Sequence, residues 1–190
     1  MAEERKGIVG SVKDGIVEAI RGVGDITDAV VDTVSGSLVN AIKRTGDVGG
    51  ALTSAISDVV RGAIQGADEA GGDLVSAAKG TVVGVLRGTK EVGGEAIDAI
   101  GTTAAAVVKT TAEVGGDLTG AARGVVEGAI DGAKEVGLSA EEAASAAATG
   151  AIKAAGDVSS QAVEEVRDAV TGTISGVKVI VKEPFKGEEK

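Results

Sequence analysis

The sequence predicts an all-α fold: long glycine- and alanine-rich amphipathic helices with 11- and 22-residue repeats, packed as a bundle, hairpin or helical assembly. Three observations carry that prediction. A short motif returns at a fixed period, the apolar residues keep helical spacing throughout, and the first helix-breaking proline is Pro184. The motif is "TKEVGG" at Thr89–Gly94, preceded by "TGDVGG" from Thr45 and "ADEAGG" from Ala67, and followed by "TAEVGG" from Thr111, "AKEVGL" from Ala133 and "AGDVSS" from Ala155. Each begins 22 residues after the last, without insertion. Such self-similarity is the mark of a repeat architecture.

The charged segment 1–7 precedes the repeats, which run over 8–182 as helix; 183–190 forms a tail set off by Pro184. Written in rows of eleven from Val12, the chain places Val, Ile, Leu or Ala mostly in columns 1, 4, 5, 8 and 9, and Asp or Glu in column 3. At about 98° per residue these five columns form one continuous arc, and the acidic column points away from it. The buried set is expected to include Ile16, Ile20, Val30, Ile42, Val60, Ile64, Val83, Leu86, Ile97, Val108, Val126, Ile130, Ile152, Val163, Val170 and Ile174. Asp25, Asp47, Glu69, Glu91, Glu113, Glu135 and Asp157 are expected to face water. In column 10, cations such as Arg21, Lys43, Arg87 and Lys109 alternate with acids such as Asp32 and Asp98; this keeps the surface soluble or pairs staggered parallel helices.

Glycine makes up 31 of the 190 residues, and there is no tryptophan, tyrosine, histidine or cysteine. About 25 glycines in helix would cost on the order of 20–25 kcal/mol against alanine, so packing has to offset the loss. Columns 7 and 11 repeat as GxxxG: Gly62 with Gly66, Gly84 with Gly88, Gly128 with Gly132 and Gly172 with Gly176. Ala106 with Thr110, and Gly150 with Ala154, keep the same positions small. Residues four apart share a helix face, so these sites are expected where a second helix backbone passes at about 8 Å. The pair Gly93-Gly94 admits two readings: a helix running through, or a helix end followed by an acidic N-cap. The unbroken apolar phase favours helices that run through, as do the replacements Gly137-Leu138 and Ser159-Ser160 later in the series.

Eleven-residue amphipathic repeats containing Thr89-Lys90-Glu91-Val92-Gly93 resemble those of synucleins, group 3 late-embryogenesis proteins and exchangeable apolipoproteins. The resemblance implies helices that form on a surface or against partners, and it carries over no functional residue.

Without histidine or cysteine the chain offers no triad, thiol or ordinary zinc chemistry, and no phosphate-binding glycine motif is present. It is read as non-enzymatic, with no cofactor, metal or catalytic residue. A net charge of −10 without a basic stripe argues against nucleic acid. The opening residues carry charges where a signal peptide needs an apolar run, so a cytoplasmic location is expected. The expected function is that of a structural or scaffold protein self-associating through close-packed Gly/Ala faces, as a homo-oligomer or with another helical protein. The alternatives are an amphipathic binder of lipid surfaces and a stress protectant of the late-embryogenesis type.

Overall fold

The computed structural model describes residues 2–22 and 25–182, and the expected tail 183–190 lies outside them. Eight helices follow one another: α1 (Ala2–Gly22), α2 (Ile26–Thr45), α3 (Val48–Glu69), α4 (Leu74–Val92), α5 (Ala96–Glu113), α6 (Leu118–Val136), α7 (Ala140–Gly156) and α8 (Ser160–Val170). A two-stranded hairpin, β1 (Gly172–Ile174) with β2 (Val177–Val179), closes the described chain. The all-α class holds. The boundary at residue 7 does not appear, because helix begins at Ala2 in a run of good helix formers with acids at its start.

The Gly-Gly pairs are turns, which corrects the preference for helices that run through. Gly71, Gly93, Gly115 and Gly137 have φ of +69°, +74°, +73° and +80°, a left-handed conformation that side chains resist. The following residue donates its N–H back into the finished helix: Gly94 N to Thr89 O at 2.9 Å, Gly116 N to Thr111 O at 2.9 Å and Leu138 N to Ala133 O at 2.8 Å. That bond satisfies a carbonyl the helix end would otherwise leave open. Only the first position of the pair has positive φ, so Gly137-Leu138 turns as well as Gly93-Gly94 does. The next helix then starts on an acid or serine: the Asp73 carboxylate accepts from Val75 N and Ser76 N, and the Ser139 hydroxyl from Glu142 N. The pair Gly49-Gly50 differs. Gly46 (φ +69°) ends α2 first, leaving that pair inside the first turn of α3.

Helix-plus-turn units of fixed length keep the apolar phase as faithfully as a continuous rod, which is why phase did not distinguish the two. Short turns make successive helices antiparallel, so each packs beside the helix two before it in the same sense. Odd-numbered helices form one layer and even-numbered helices the other. Ile16, Leu38, Ile56, Ile64, Leu86, Ile100 and Ile130 are the largest fully buried side chains between them, and α7 contributes only alanines and Ile152. Of the expected core, Ile20, Ile97 and Val163 are half-buried and the other residues buried. All seven acids expected in water are exposed.

Helix stops at Val170 rather than 182. "TGTISGVKVIV" alternates β-branched residues about Ser175-Gly176, whose positive φ values of 49° and 79° suit a two-residue hairpin turn. Ile174 and Val179 bury themselves against the end of the stack.

The turn geometry makes two predictions for thermal melts. Gly93→Ala should lose about 1 kcal/mol because φ is positive there, a fall of roughly 2–4 °C in Tm. The buried Thr89 hydroxyl has no partner. Thr89→Val, of the same shape, should therefore raise stability by about 1 kcal/mol.

Candidate functional site

The side chains that organise this molecule are those it lacks. A Cβ placed on Gly62 would stand 2.7 Å from the Val9 carbonyl oxygen in α1, and one on Gly66 2.7 Å from that of Lys13. Gly84 lies over Val31 of α2 (2.8 Å to its carbonyl oxygen) and Gly88 over Ser35 (3.2 Å). Gly128 lies over Lys79 of α4 (2.5 Å), and Gly132 meets Leu86 at 2.6 Å and the Val83 Cα at 3.4 Å. Six of the glycines singled out by spacing thus sit against the helix two before their own. Gly150, expected at the same shoulder, lies over Gly101, and Gly80 and Gly124 join the set over Thr27 and Val75 although GxxxG spacing did not mark those two.

The others fall elsewhere. Gly93 is a turn residue with open space where a Cβ would be, and a Cβ on Gly94 would meet Leu52 at 2.7 Å. Gly172 and Gly176 were expected in a helix-packing face. Both lie in the hairpin with positive φ and nothing near them, because the β-branched alternation overrides their spacing.

The glycine contacts keep a strict register. From α1 to α3 and from α2 to α4 each glycine lies over the residue 53 positions earlier; from α4 to α6 and from α5 to α7 the distance is 49. The change is four residues, about one helical turn. In the odd layer the intervening pair, α3 and α5, has no glycine contact of this kind among the described residues. There the two shoulder positions carry Ala106 and Thr110, whose methyl groups prevent the approach that glycine allows.

A trough of about 900 Å³ opens along that seam. Its floor is the outer face of α5 (Gly101, Thr102, Ala105, Ala106), its walls carry Asp58 and Arg61 of α3 and Ser145, Thr149 and Lys153 of α7, and Lys182 lies on its rim. Burial pushes the Asp58 carboxyl above the usual carboxylate range, against the opposing charges of Arg5, 3.8 Å away, and Arg61.

Ion pairs join helices within a layer, and five of them place the cation on the earlier helix: Lys13 to Glu69 (2.7 Å), Lys43 to Glu91 (3.3 Å), Arg61 to Glu113 (2.8 Å), Arg87 to Glu135 (2.8 Å) and Lys109 to Asp157 (2.7 Å). The column-10 cations therefore meet the acid of the "KEVGG" motif. Column 10 pairs with itself only at Arg87 and Asp32, 3.9 Å apart. The repeat aligns the C-terminal ends of helices in one layer, which places those acids within reach. All of these groups are at least partly exposed, so each pair contributes little to stability. Lys13 holds the Glu69 carboxyl below its ordinary value, and Lys109 does the same to Asp157.

Among the described residues no group of three His, Cys, Asp or Glu could hold a metal ion, and no helix is long and apolar enough to cross a membrane.

No family model matches the chain, and no curated protein does. Solved structures that match include the crystal structure of a de novo designed helical repeat protein, at 19% identity over 90% of this chain and 92% of that one, with a TM-score of 0.55. The likeness concerns the fold: this chain is a helical repeat.

Two predictions follow from the contacts. Gly84→Ala should destabilise, because overpacking against the Val31 carbonyl costs about 1–3 kcal/mol while helix propensity returns about 1. Gly36→Ala, mid-helix with nothing within 4 Å, should instead stabilise by up to about 1 kcal/mol; thermal melts of the pair read both signs. In an acid titration, Asp73 (held low by Ser76), Glu69 and Asp157 have depressed values in the folded state. Their stabilisation is complete above the unfolded carboxylate range, near pH 4, and is lost as pH falls through the folded values. Asp58 has the opposite sign and should gain on protonation. Acid unfolding should therefore begin below about pH 4, and Asp73→Asn should flatten its onset.

Proposed function

We propose that this chain is a non-enzymatic scaffold working as a single, laterally closed helical array. The observation that carries the reading is the fate of the glycine shoulders. Each close-packing shoulder that spacing identified in α3, α4 and α6 is covered by the chain's own α1, α2 or α4. None of those faces is left to join a second copy. The equivalent positions on the two helices at the edge of the stack carry Glu18 and Gly22 on α1 and Gly36, Asn40 and Arg44 on α2, all exposed; the small residues there are interrupted by charged and amide groups. Charged and amide groups there would lose their hydration under an incoming backbone, so the edge does not accept another helix. At the opposite end α8 and the hairpin cover α7. A stack with polar edges stays soluble and finite, as terminal capping repeats do in other repeat arrays.

In this reading the Gly/Ala faces from which self-association was expected are used within one chain. Sedimentation should return a mass near 18.4 kDa at every concentration, and anionic vesicles should leave the helical circular dichroism signal unchanged. The triple change Glu18→Gly, Asn40→Gly and Arg44→Gly rebuilds the small shoulder at the edge and should induce association. A wild-type mass that rises with concentration would restore self-assembly as the function, and helix gained only with vesicles would favour a lipid-surface role.

A further inference from the structure

Within the layers, α1 with α3, α2 with α4, α4 with α6 and α5 with α7 are docked backbone against backbone through glycine. The pair α3 and α5 is not. Its helices pack less closely than those four pairs, and the trough runs between them. Helix α4 belongs to both halves of the molecule: Gly80, Gly84 and Gly88 seat it on α2, and α6 sets Gly124, Gly128 and Gly132 on it. We propose that the seam between α3 and α5 is a hinge, at which the blocks α1–α3 and α5–α8 part and close across the trough with α4 as their common spine.

The two ends of the seam are fastened differently, which places the pivot. At the start of α5, Leu52 of α3 is buried and packs 2.7 Å from where a Cβ on Gly94 would stand. That contact is steric and carries no charge to screen. At the end of α5 the tie is the ion pair of Arg61 with Glu113, 2.8 Å long, with both side chains about half exposed. Water and salt weaken such a pair. The seam therefore pivots at Leu52 and splays at Glu113. Between these ends the trough wall is polar and only half-buried, at Ser57, Asp58 and Thr102. Parting it uncovers little apolar surface, whereas parting a glycine-docked pair forfeits dense backbone contact. Elements with few buried contacts open below the global unfolding energy, and blocks packed on a shared element move as rigid bodies. Closure has a stop as well. The methyl groups of Ala106 and Thr110 keep α5 from seating on α3 as α7 seats on α5 through Gly150. The hinge belongs to one chain and is independent of the single-copy reading, which sedimentation tests.

The chain contains no cysteine, so pairs of spin labels can be placed cleanly. Thr53→Cys with Asp98→Cys spans the seam at the Leu52 end, and Asp68→Cys with Asp117→Cys spans it at the Glu113 end; all four residues are exposed. Labelled chain is diluted into unlabelled chain, so that only distances within one copy are read. Double electron–electron resonance should give a wider distribution for the second pair than for the first. Glu113→Ala, or added salt, should widen the second further and leave the first unchanged. Ala106→Gly with Thr110→Gly should narrow the second and shorten its mean distance. Circular dichroism verifies that each variant is folded; should the double glycine change fail to fold, Glu113→Ala decides alone. Equal widths at the two ends overturn the hinge. So does a distribution at the Glu113 end that Glu113→Ala leaves unchanged.

Discussion

Everything in this fold depends on one steric condition: a helix backbone passes so close to its neighbour's shoulder that no Cβ fits. At Gly62, Gly66, Gly84 and Gly128 the missing atom would lie 2.5–2.8 Å from a carbonyl oxygen, well inside contact distance. Backbones at that separation give small side chains a dense set of neighbours, which is how alanine and valine supply a core without aromatics. The propensity cost of glycine is therefore a condition of the packing. Where the neighbour is absent, as at Gly36, glycine only costs.

The glycines and the ion pairs have separate tasks. Glycine determines how near two helices of a layer come, and which residue lies under which, because the carbonyl fits only over the gap. The exposed pairs running from Lys13, Lys43, Arg61, Arg87 and Lys109 to acids two helices on add little energy, but they agree with the register that the glycines impose. Salt screens the second contribution and leaves the first untouched. Agreement between a steric and an electrostatic signal is the consistency expected of a sequence that specifies one arrangement.

The helical class, the buried stripe and the acidic column were legible because each depends on periodicity alone. The turns were not, and the reason is geometric. A rod and a series of fixed-length hairpins share one sequence period, and only the sign of φ at Gly93 or Gly115 separates them. One clue was present: Asp73 and Asp117 follow glycine pairs as N-caps should. The hairpin was legible too, in the alternation of Val177, Val179 and Val181, and was obscured by treating Gly172 and Gly176 as members of a helical column. Of the trough, the sequence carried the two residues that open it, Ala106 and Thr110, but their smallness masked what one or two added methyl groups do at a site built for none.

The seam at those two residues unites several observations. Glycine contacts enforce register wherever they occur, and that register differs by four residues between the pair α1 and α3 and the pair α5 and α7. Ala106 and Thr110 remove the lock at α3 and α5, leaving Arg61 with Glu113 as the polar tie across the gap. In the even layer α4 accommodates both registers, because its glycines dock on α2 while its opposite face receives the glycines of α6. One layer thus stays closed while the other opens, and the opening coincides with the concave surface of this otherwise self-covered molecule. Where the shoulder carries Ala106 and Thr110 in place of glycine, the stack opens into a trough.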